Sequence, residues 1–291
     1  MSLPKDVNAA DYNNPYILQM PELVMKQILE HVDLVSILKL RKVCHAFRNF
    51  IDDNKSGGVM KKILIRVMPD ALRVQLTSKD NFYPKCEIIY IEKNDGCSIA
   101  MYKGVNTTGK YFKNGKFFGF FTEDFGFLLR NQNMKMEEIE VMICTKAYND
   151  TNGKPKKENV KKEFVTSFYD WLTTVLKSRE TPLQVKTWDL DIFGRDCLMK
   201  LLPNLGPVQK LNIRRIYVPE EWFLNKEPDR GIDLEGIIDW KNVGDLFTSG
   251  FFVTSPLRVV ANVLKIETSF ITVDIKDLII WKETFLTNPL K

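Results

Sequence analysis

Apolar residues near the N-terminus recur at the spacing of three short helices. The positions that predict them are Val24, Ile28 and Val32 for the first helix, Leu34, Ile37 and Leu38 for the second, and Val43, Phe47, Phe50 and Ile51 for the third. Pro21 suits the first helical position, because its missing N–H has no intrahelical partner there. Asp33 is placed to accept hydrogen bonds from the free N–H groups of the second helix. Residues 1–16 lack such periodicity and are predicted to form a flexible arm.

These three helices carry more large apolar side chains than they can bury among themselves. A unit of about 40 residues without disulfides or a metal usually needs a partner, because short helices are marginal in water. Each large apolar side chain that stays exposed forgoes about 1.5–3 kcal/mol. We therefore expect a protein partner to cover this surface. The alternative is an ordinary helical hairpin that packs on the rest of the chain.

The order of residues in this stretch resembles the F-box, here assigned to residues 17–56. The matching features are the opening Met20-Pro21, the pair Asp33-Leu34, and a last helix with Val43-Cys44 and Phe47-Arg48. The resemblance implies docking onto a Skp-type adaptor and, through it, onto a cullin-based ubiquitin ligase. The side chains that it implies for adaptor binding, with the two arginines at the polar rim, are Pro21, Leu23, Val24, Ile28, Leu29, Leu34, Leu38, Arg41, Val43, Cys44, Phe47 and Arg48.

The rest of the chain, residues 60–291, mixes strand and helix patterns. Alternation predicts two strands between Lys61 and Thr77 and a hairpin over 86–91 and 98–102. Further strands are predicted at 139–143, 183–192 and 208–213, and helices at 158–177, 196–202 and 275–285. The phenylalanine-rich stretch 117–129 could form a binding groove, but core packing against a sheet is the favoured interpretation.

Part of this region has the spacing of a leucine-rich repeat. Leucines and valines follow that spacing from Leu202 to Ile213, and positions 188 and 211 lie about one repeat apart. Val260 to Ile266 repeats the pattern after a long insertion around 222–230. We predict an α+β fold: a small three-helix F-box, then a mixed strand and helix domain with irregular leucine-rich-repeat-like stacking.

This larger region also resembles the FTH domain that follows the F-box in a large nematode family. The resemblance rests on the strands at 139–143 and 208–213, the helix before Leu183, the segment Ile238-Asp239-Trp240-Lys241 and the helix start at 273–278. It implies that residues 60–291 bind a target protein for ubiquitin transfer by other subunits. The alternative is a scaffold outside ubiquitin ligases that binds a protein or RNA partner through the same region.

Composition narrows the class of partner and the compartment. A net charge of +5 over 291 residues is far from the balance of a nucleic-acid binder, so RNA is expected only through an RNA-binding target. Five widely spaced cysteines indicate reduced thiols in the cytoplasm or nucleus. The N-terminus lacks a signal-peptide pattern, and no stretch is apolar enough for a membrane helix.

Few residues offer catalytic chemistry, and we expect a non-catalytic protein without cofactor or metal. The two histidines, His31 and His45, both fall in the F-box-like stretch, which excludes the common triads elsewhere. A hydrolase built on Asp189, Asp191 and Asp196 is an alternative, but these carboxylates are expected to face solvent or cap a helix. The basic run from Lys154 to Lys162, which could bind an acidic partner, is expected to be a solvated surface.

Overall fold

The computed structural model describes residues 20–32, 34–54, 60–78, 86–132, 135–144, 160–215 and 231–287. The chain divides into two compact units, with the boundary between Val59 and Met60. The first unit contains three helices: α1, Glu22–Glu30; α2, Leu34–Leu40; and α3, His45–Asp53. The second contains a large mixed sheet with helices, so the predicted fold class is confirmed.

The ends of the three short helices differ slightly from the prediction. Pro21 is the N-cap of α1 and not its first residue, and its carbonyl accepts hydrogen bonds from the N–H groups of Val24 and Met25 at 2.9 and 3.1 Å. Cys44 is the extended N-cap of α3, so Val43 lies in the preceding turn and not in the helix. The predicted cap Asp33 lies outside the described residues.

The second unit is built on one sheet with eleven strands among its described residues. The strands are β1, Met60–Val67; β2, Ala71–Ser78; β3, Cys86–Lys93; β4, Gly96–Lys103; β5, Asn106–Lys113; β6, Met136–Ile143; β7, Val185–Ile192; β8, Val208–Arg215; β9, Gly231–Ile232; β10, Asp245–Val253; and β11, Lys265–Phe270. The helices are α4, Phe117–Asn131; α5, Lys162–Lys177; α6, Arg195–Leu201; and α7, Ile275–Thr287. Short 3₁₀ turns occupy Leu202–Asn204, Trp240–Asn242 and Leu257–Val260.

Two kinds of strand pairing meet at β1. The spatial order is β11-β10-β8-β7-β6-β1-β2-β3-β4-β5, with β9 paired to the end of β10. On one side of β1, each strand from β1 to β5 is antiparallel to the next. On the other side, each strand is parallel to its neighbour, in the order β1, β6, β7, β8, β10 and β11. Trp188 of β7 lies opposite Leu211 of β8, and Leu246 of β10 lies opposite Ile266 of β11. The leucine-rich-repeat likeness itself stays a prediction.

Aromatic side chains form the core beneath one face of the sheet. Phe121 and Phe125 recur one turn apart on α4 and are fully buried, with ring centroids 5.0 Å apart. Phe121 also lies 4.8 Å from the ring of Trp171 on α5. The Tyr90 hydroxyl of β3 donates a 2.9 Å hydrogen bond to Asp124 of α4. The stretch 117–129 is therefore core packing, as predicted.

Most of the other predicted elements are confirmed, with shifted ends. Helix α5 begins at Lys162, four residues later than predicted. Val160 and Lys161 are not helical, and Lys161 is the extended N-cap. Four strands, β5, β9, β10 and β11, were not predicted as strands. The sequence also predicts a polar loop at 149–157. This stretch and the insertion around 222–230 lie outside the described residues.

The segment Ile238-Asp239-Trp240-Lys241 forms a buried anchor. The indole N–H of Trp240 donates a 2.9 Å hydrogen bond to the Leu234 carbonyl, and the ring is buried. The Asp239 carboxylate accepts a hydrogen bond from the Lys241 N–H at 3.1 Å and so caps the 3₁₀ turn. This segment has a structural role in the described fold.

Candidate functional site

Four large apolar side chains are exposed among the described residues of the first unit. Leu23 and Val24 lie in the first turn of α1, just after the exposed Met20, and Val43 lies in the turn before α3. Leu23 is 68% exposed and Val43 is 64% exposed, values that are unfavourable for aliphatic side chains unless a partner covers them. Pro21, beside Met20, is exposed as well. These residues form the candidate docking surface of the first unit.

Three other predicted docking residues with apolar side chains are buried. Leu29 of α1, Leu38 of α2 and Phe47 of α3 expose no more than 4% of their surface. They belong to the same buried set as Met25, Ile37 and Ile51. A buried side chain stabilises the fold that presents a surface, but it does not itself supply exposed contact area.

The remaining predicted docking positions are intermediate or held by intramolecular contacts. Ile28, Cys44 and Arg48 are half-buried, and the Leu34 side chain lies outside the described part of the structure. Arg41, predicted at the polar rim, is 7% exposed. Its Nε and Nη2 donate to the two carboxylate oxygens of Asp52 at 2.6 and 2.9 Å, which joins the end of α2 to α3.

The family comparison bears on this helical unit. Residues 17–57 match the F-box domain. All twelve predicted docking residues lie within the matched range, and F-box domains typically bind Skp-type adaptors within cullin ligases. The comparisons with curated proteins and with solved structures found no significant match.

F-box proteins are generally non-catalytic adaptors. Within the described residues, no group of three or more histidine, cysteine or acidic side chains is arranged to hold a metal ion. All five cysteines are free thiols, and burial raises the pKa of Cys97, Cys144 and Cys197. None of the helices in the described ranges combines the length and apolar character needed to cross a membrane.

The sheet offers a second candidate surface, on the face opposite the aromatic core. Side chains on this face are mostly polar and are aligned in rows across the strands by the register. Lys62 binds Glu138 of the neighbouring strand at 2.7 Å. Arg73 of β2 forms an ion pair with Glu87 of β3. Over β1–β3 and β6 the described charges therefore include ion pairs between adjacent strands.

The aspartates of β7 belong to the same face and are held by one arginine. Arg214 of β8 binds Asp189 at 2.8 Å and Asp191 at 2.7 Å. Asp191 also accepts a hydrogen bond from the Ile143 N–H at 3.0 Å and is 5% exposed. The prediction that Asp191 faces solvent is wrong, because Arg214 and Ile143 on the two adjacent strands enclose its carboxylate. Asp196 is exposed in the first turn of α6, whose N-cap is Gly194.

A cavity of about 240 Å³ opens on this face between β8, β10 and β11. The half-buried ring of Phe247 lines it, and the charged side chains around that ring are Lys210, Arg214, Asp245, Lys265 and Glu267. Register places Asp245 between Lys210 and Lys265, and Phe247 opposite Glu267. Within the described residues, Lys210, Asp245, Lys265 and Glu267 form no ion pair. An aromatic ring surrounded by available charges is therefore the candidate binding site of the second unit.

Two glutamates on this face have pKa values shifted in opposite directions. Burial, followed by the nearby carboxylates of Asp189 and Glu138, raises the pKa of Glu140. Burial alone would also raise the pKa of Glu87, but hydrogen bonds from Arg73 and Gln75 outweigh it and lower that pKa. The difference arises because Glu87 has its own arginine, whereas Glu140 shares its surroundings with other acids.

The sequence did not single out the residues around the cavity. Phe247 and Asp245 lie on β10, which was not predicted, and Lys210, Lys265 and Glu267 are ordinary surface charges in a strand pattern. Only the alignment of three strands brings them together. By contrast, the basic residues Lys161 and Lys162 are exposed, and the remainder of the basic run lies outside the described residues.

Proposed function

We propose that this protein is the substrate-recognition subunit of a Skp–cullin–F-box ubiquitin ligase. The observation that carries the proposal is the F-box match at 17–57, within which several apolar side chains are exposed. The protein itself transfers no ubiquitin. It holds a target close to the ubiquitin carrier and so raises the effective concentration of the reacting groups.

The docking surface on the adaptor side is centred on the exposed residues of the first unit. Burial of Leu23 and Val43 by a partner would each contribute on the order of 1–3 kcal/mol, since both are largely exposed in this chain. Leu29, Leu38 and Phe47 support this surface from beneath. Arg41 fixes the relation of α2 to α3 through Asp52. Pro21, Val24, Ile28, Cys44 and Arg48 complete the proposed contact set.

The target side is the cavity around Phe247. Protein interfaces commonly combine an aromatic centre that is fully desolvated on binding with a polar rim. The cavity, at about 240 Å³, is smaller than the ~300–1,000 Å³ of small-molecule sites, so it suits one side chain of a protein partner. The charges around Phe247 include both signs, which favours a target segment that carries an apolar anchor and mixed charges.

The finer assignments form part of the same proposal. Residues 60–291 are proposed to be an FTH-type, leucine-rich-repeat-like target-binding domain, following the resemblance in the strands, the Trp240 segment and the last helix. The domain boundaries are proposed at 17–56 for the F-box and 60–291 for the larger domain. The proposed location is the cytoplasm or nucleus, where ubiquitin ligases of this class and their targets occur together.

Co-purification of the full chain with a Skp-type adaptor tests the proposal. The double variant Leu23→Asp with Val43→Asp places two charges on exposed positions, so it should remain folded and lose adaptor binding by at least about tenfold. The matched control is Val105→Asp, an exposed apolar position in the second unit that is 98% exposed. Leu29→Asp is unsuitable, because a charge at a buried site would unfold the helices.

One outcome contradicts the ligase function, and another contradicts the docking surface. The folded wild type could fail to bind the adaptor, in which case the scaffold alternative would replace the proposal. Equal loss of binding in the Val105→Asp control would indicate a general defect and not a docking surface. Ubiquitin transfer to a bound target in the reconstituted ligase, absent from the Leu23 and Val43 double variant, would support the proposal.

A further inference from the structure

One end of the second unit exposes a concentration of large apolar side chains. Each of them is at least 42% exposed, and all lie within the last described stretch of chain: Leu264, Ile271, Val273, Ile275, Leu278, Ile279, Ile280 and Leu286. Leu264 lies just before β11, Ile271 and Val273 lie in the connection after it, and the others lie on helix α7. Monomeric proteins rarely expose so many apolar side chains together unless a partner covers them.

Both layers of the fold end at this place. β11 is the end strand of the sheet and pairs only with β10 among the described strands. Helix α7 follows it directly and packs beside the 3₁₀ turn 257–260, where Arg258 binds the buried carboxylate of Asp277 at 3.1 Å. An arrangement of stacked strand and helix units normally presents a polar outer face at its last unit. Here the last helix presents aliphatic side chains instead.

The opposite end of the sheet differs. The residues of its end strand β5 are polar over most of the strand, which reads Asn-Thr-Thr-Gly-Lys-Tyr-Phe-Lys, and nearly all are exposed. Such an edge discourages pairing with another strand. The contrast shows that the apolar end at β11 and α7 is a specific feature of one end of the sheet and is not shared by the other.

We propose that a second copy of this chain covers the β11–α7 end, with the two β11 strands paired antiparallel about a two-fold axis. A partner that extends the sheet at β11 and covers α7 needs an exposed strand edge and an apolar helix of its own. The same end of a second copy offers both. An interface that joins the same patch from two copies is the commonest form of homo-oligomer. The dimer does not require the ligase function, although it uses Lys265 and Glu267, which also line the cavity around Phe247.

The charges on β11 are arranged to be self-complementary. Lys265 and Glu267 are two residues apart and therefore point to the same face of the sheet. In an antiparallel pair with its axis at Ile266, Lys265 of each copy lies opposite Glu267 of the other. Opposite charges that face each other across strands stabilise a pair, and like charges destabilise it. In the described structure neither residue has an ion pair of its own to lose.

The exposed area is also of the right order. Eight aliphatic side chains, each exposed by two fifths or more, offer several hundred Å², and a stable interface takes about 800 Å² from each partner. The end strand and the helix backbone would supply the remainder. The lysines and acids of this stretch nearly balance, so two copies would not repel each other strongly: Lys265, Lys276 and Lys282 against Glu267, Asp274, Asp277 and Glu283.

The mass of the full chain in solution tests the proposal. Sedimentation equilibrium over a range of concentrations should give twice the chain mass of 33.8 kDa. Lys265→Glu places like charges opposite each other at two symmetry-related positions and should weaken the dimer by about tenfold. The charge-swapped variant Lys265→Glu with Glu267→Lys should restore the dimer, since the opposite charges again face each other.

A second pair of variants tests the helix. Ile275→Asp with Ile279→Asp should give a monomer with an unchanged far-ultraviolet circular dichroism spectrum, because both side chains are exposed. Val105→Asp, at an exposed apolar site on the β4–β5 turn, should leave the dimer intact. A wild type that is monomeric throughout overturns the proposal. A dimer that is indifferent to Lys265→Glu, or one that the charge-swapped variant does not restore, overturns the strand-paired geometry.

Discussion

Arg41 and Asp52 form a two-pronged ion pair, with N–O distances of 2.6 and 2.9 Å, between the residue that follows α2 and the last turn of α3. Both oxygens of one carboxylate accept from the same guanidinium, a geometry that a lysine cannot reproduce. The pair thus fixes one helix relative to the next inside the unit that matches the F-box. Arg41, expected at the polar rim of a docking surface, is thus buried and joins two helices of this unit.

Replacement of Arg41 by lysine should loosen the helices without removing charge. We expect the free energy of opening of residues 34–54 to fall by about 1–2 kcal/mol, because one of two charge-assisted hydrogen bonds is lost. Amide hydrogen exchange of these residues measures the change. Lys39→Ala, at an exposed position on α2, is the control and should leave exchange unaltered. Equal protection in Arg41→Lys and the wild type would contradict the structural role.

Glu140 should make the protein less stable as the pH rises. Its pKa in the folded state lies above the ordinary value of 4.5, so the folded state binds more protons than the unfolded state above that pH. The free energy of unfolding therefore declines as the pH rises from 4.5 through the folded pKa. Glu140→Gln should remove this decline and raise stability at pH 7, as measured by urea unfolding at several pH values. A lower stability of Glu140→Gln at pH 7 would refute the assignment.

Glu87 should have the opposite effect. Because Arg73 and Gln75 lower its folded pKa below 4.5, the unfolded state binds more protons in acid. The stability contributed by Glu87 is thus present above pH 4.5 and is lost as the pH falls through the folded pKa. Glu87→Gln should lower the free energy of unfolding at pH 7 and reduce its acid dependence. Unfolding curves in which both glutamine variants shift in the same direction at pH 7 would contradict the two environments.

Gly206 should not tolerate a side chain. Its φ of +71° is in the left-handed region, and an added Cβ would lie 3.0 Å from the Leu183 carbonyl oxygen. Gly206→Ala should lower the free energy of unfolding by more than about 1 kcal/mol. Gly119→Ala, in the exposed part of α4 with its nearest contact at 3.9 Å, should raise it by about 0.5–1 kcal/mol. Thermal unfolding that ranks the two variants the other way would refute this account.

Phe247 should be needed for the target and not for the adaptor. Phe247→Ala removes the aromatic centre of the cavity and should weaken target binding by about 30-fold, the effect of losing a ~2 kcal/mol hot spot. Binding of the Skp-type adaptor should be unchanged. A photoreactive phenylalanine analogue at position 247 should cross-link a protein whose ubiquitination falls in Phe247→Ala. Cross-links that are identical from position 105 would contradict the assignment.

The patterns that predicted the fold were those in which one face of an element is buried. Alternation over 61–77 and helical spacing over 162–177 both arise because a single face meets the core. β5 lacks this signal, since nearly every residue of Asn106–Lys113 is exposed. In β10 the alternation of buried and exposed residues shifts by one position. The buried residues are the even-numbered Leu246 and Thr248 in the first half and the odd-numbered Phe251 and Val253 in the second. Gly250, with a φ of +76°, lies where the phase changes.

The candidate sites differ in how much of them the sequence could predict. The F-box positions are specified by local order, so the sequence predicted this domain, and the family match at 17–57 confirms it. It could not separate exposed Leu23 from buried Leu29, because both lie among spaced aliphatic residues of one short helix. The cavity around Phe247 joins residues from 210 to 267, and only the pairing of β8, β10 and β11 places them together. The periodicity of a sequence does not indicate which strands pair or in what register.

The position of β1 at the meeting point of the two halves of the sheet has a consequence for biosynthesis. Its hairpin partner β2 follows at once, but Lys62 binds Glu138, which is 76 residues further along the chain. Strands β1–β5 can therefore assemble as they leave the ribosome, whereas the other edge of β1 stays open until β6 has been made. Until then the nascent chain displays an unpaired strand edge, and chaperone binding should be strongest over that interval of translation.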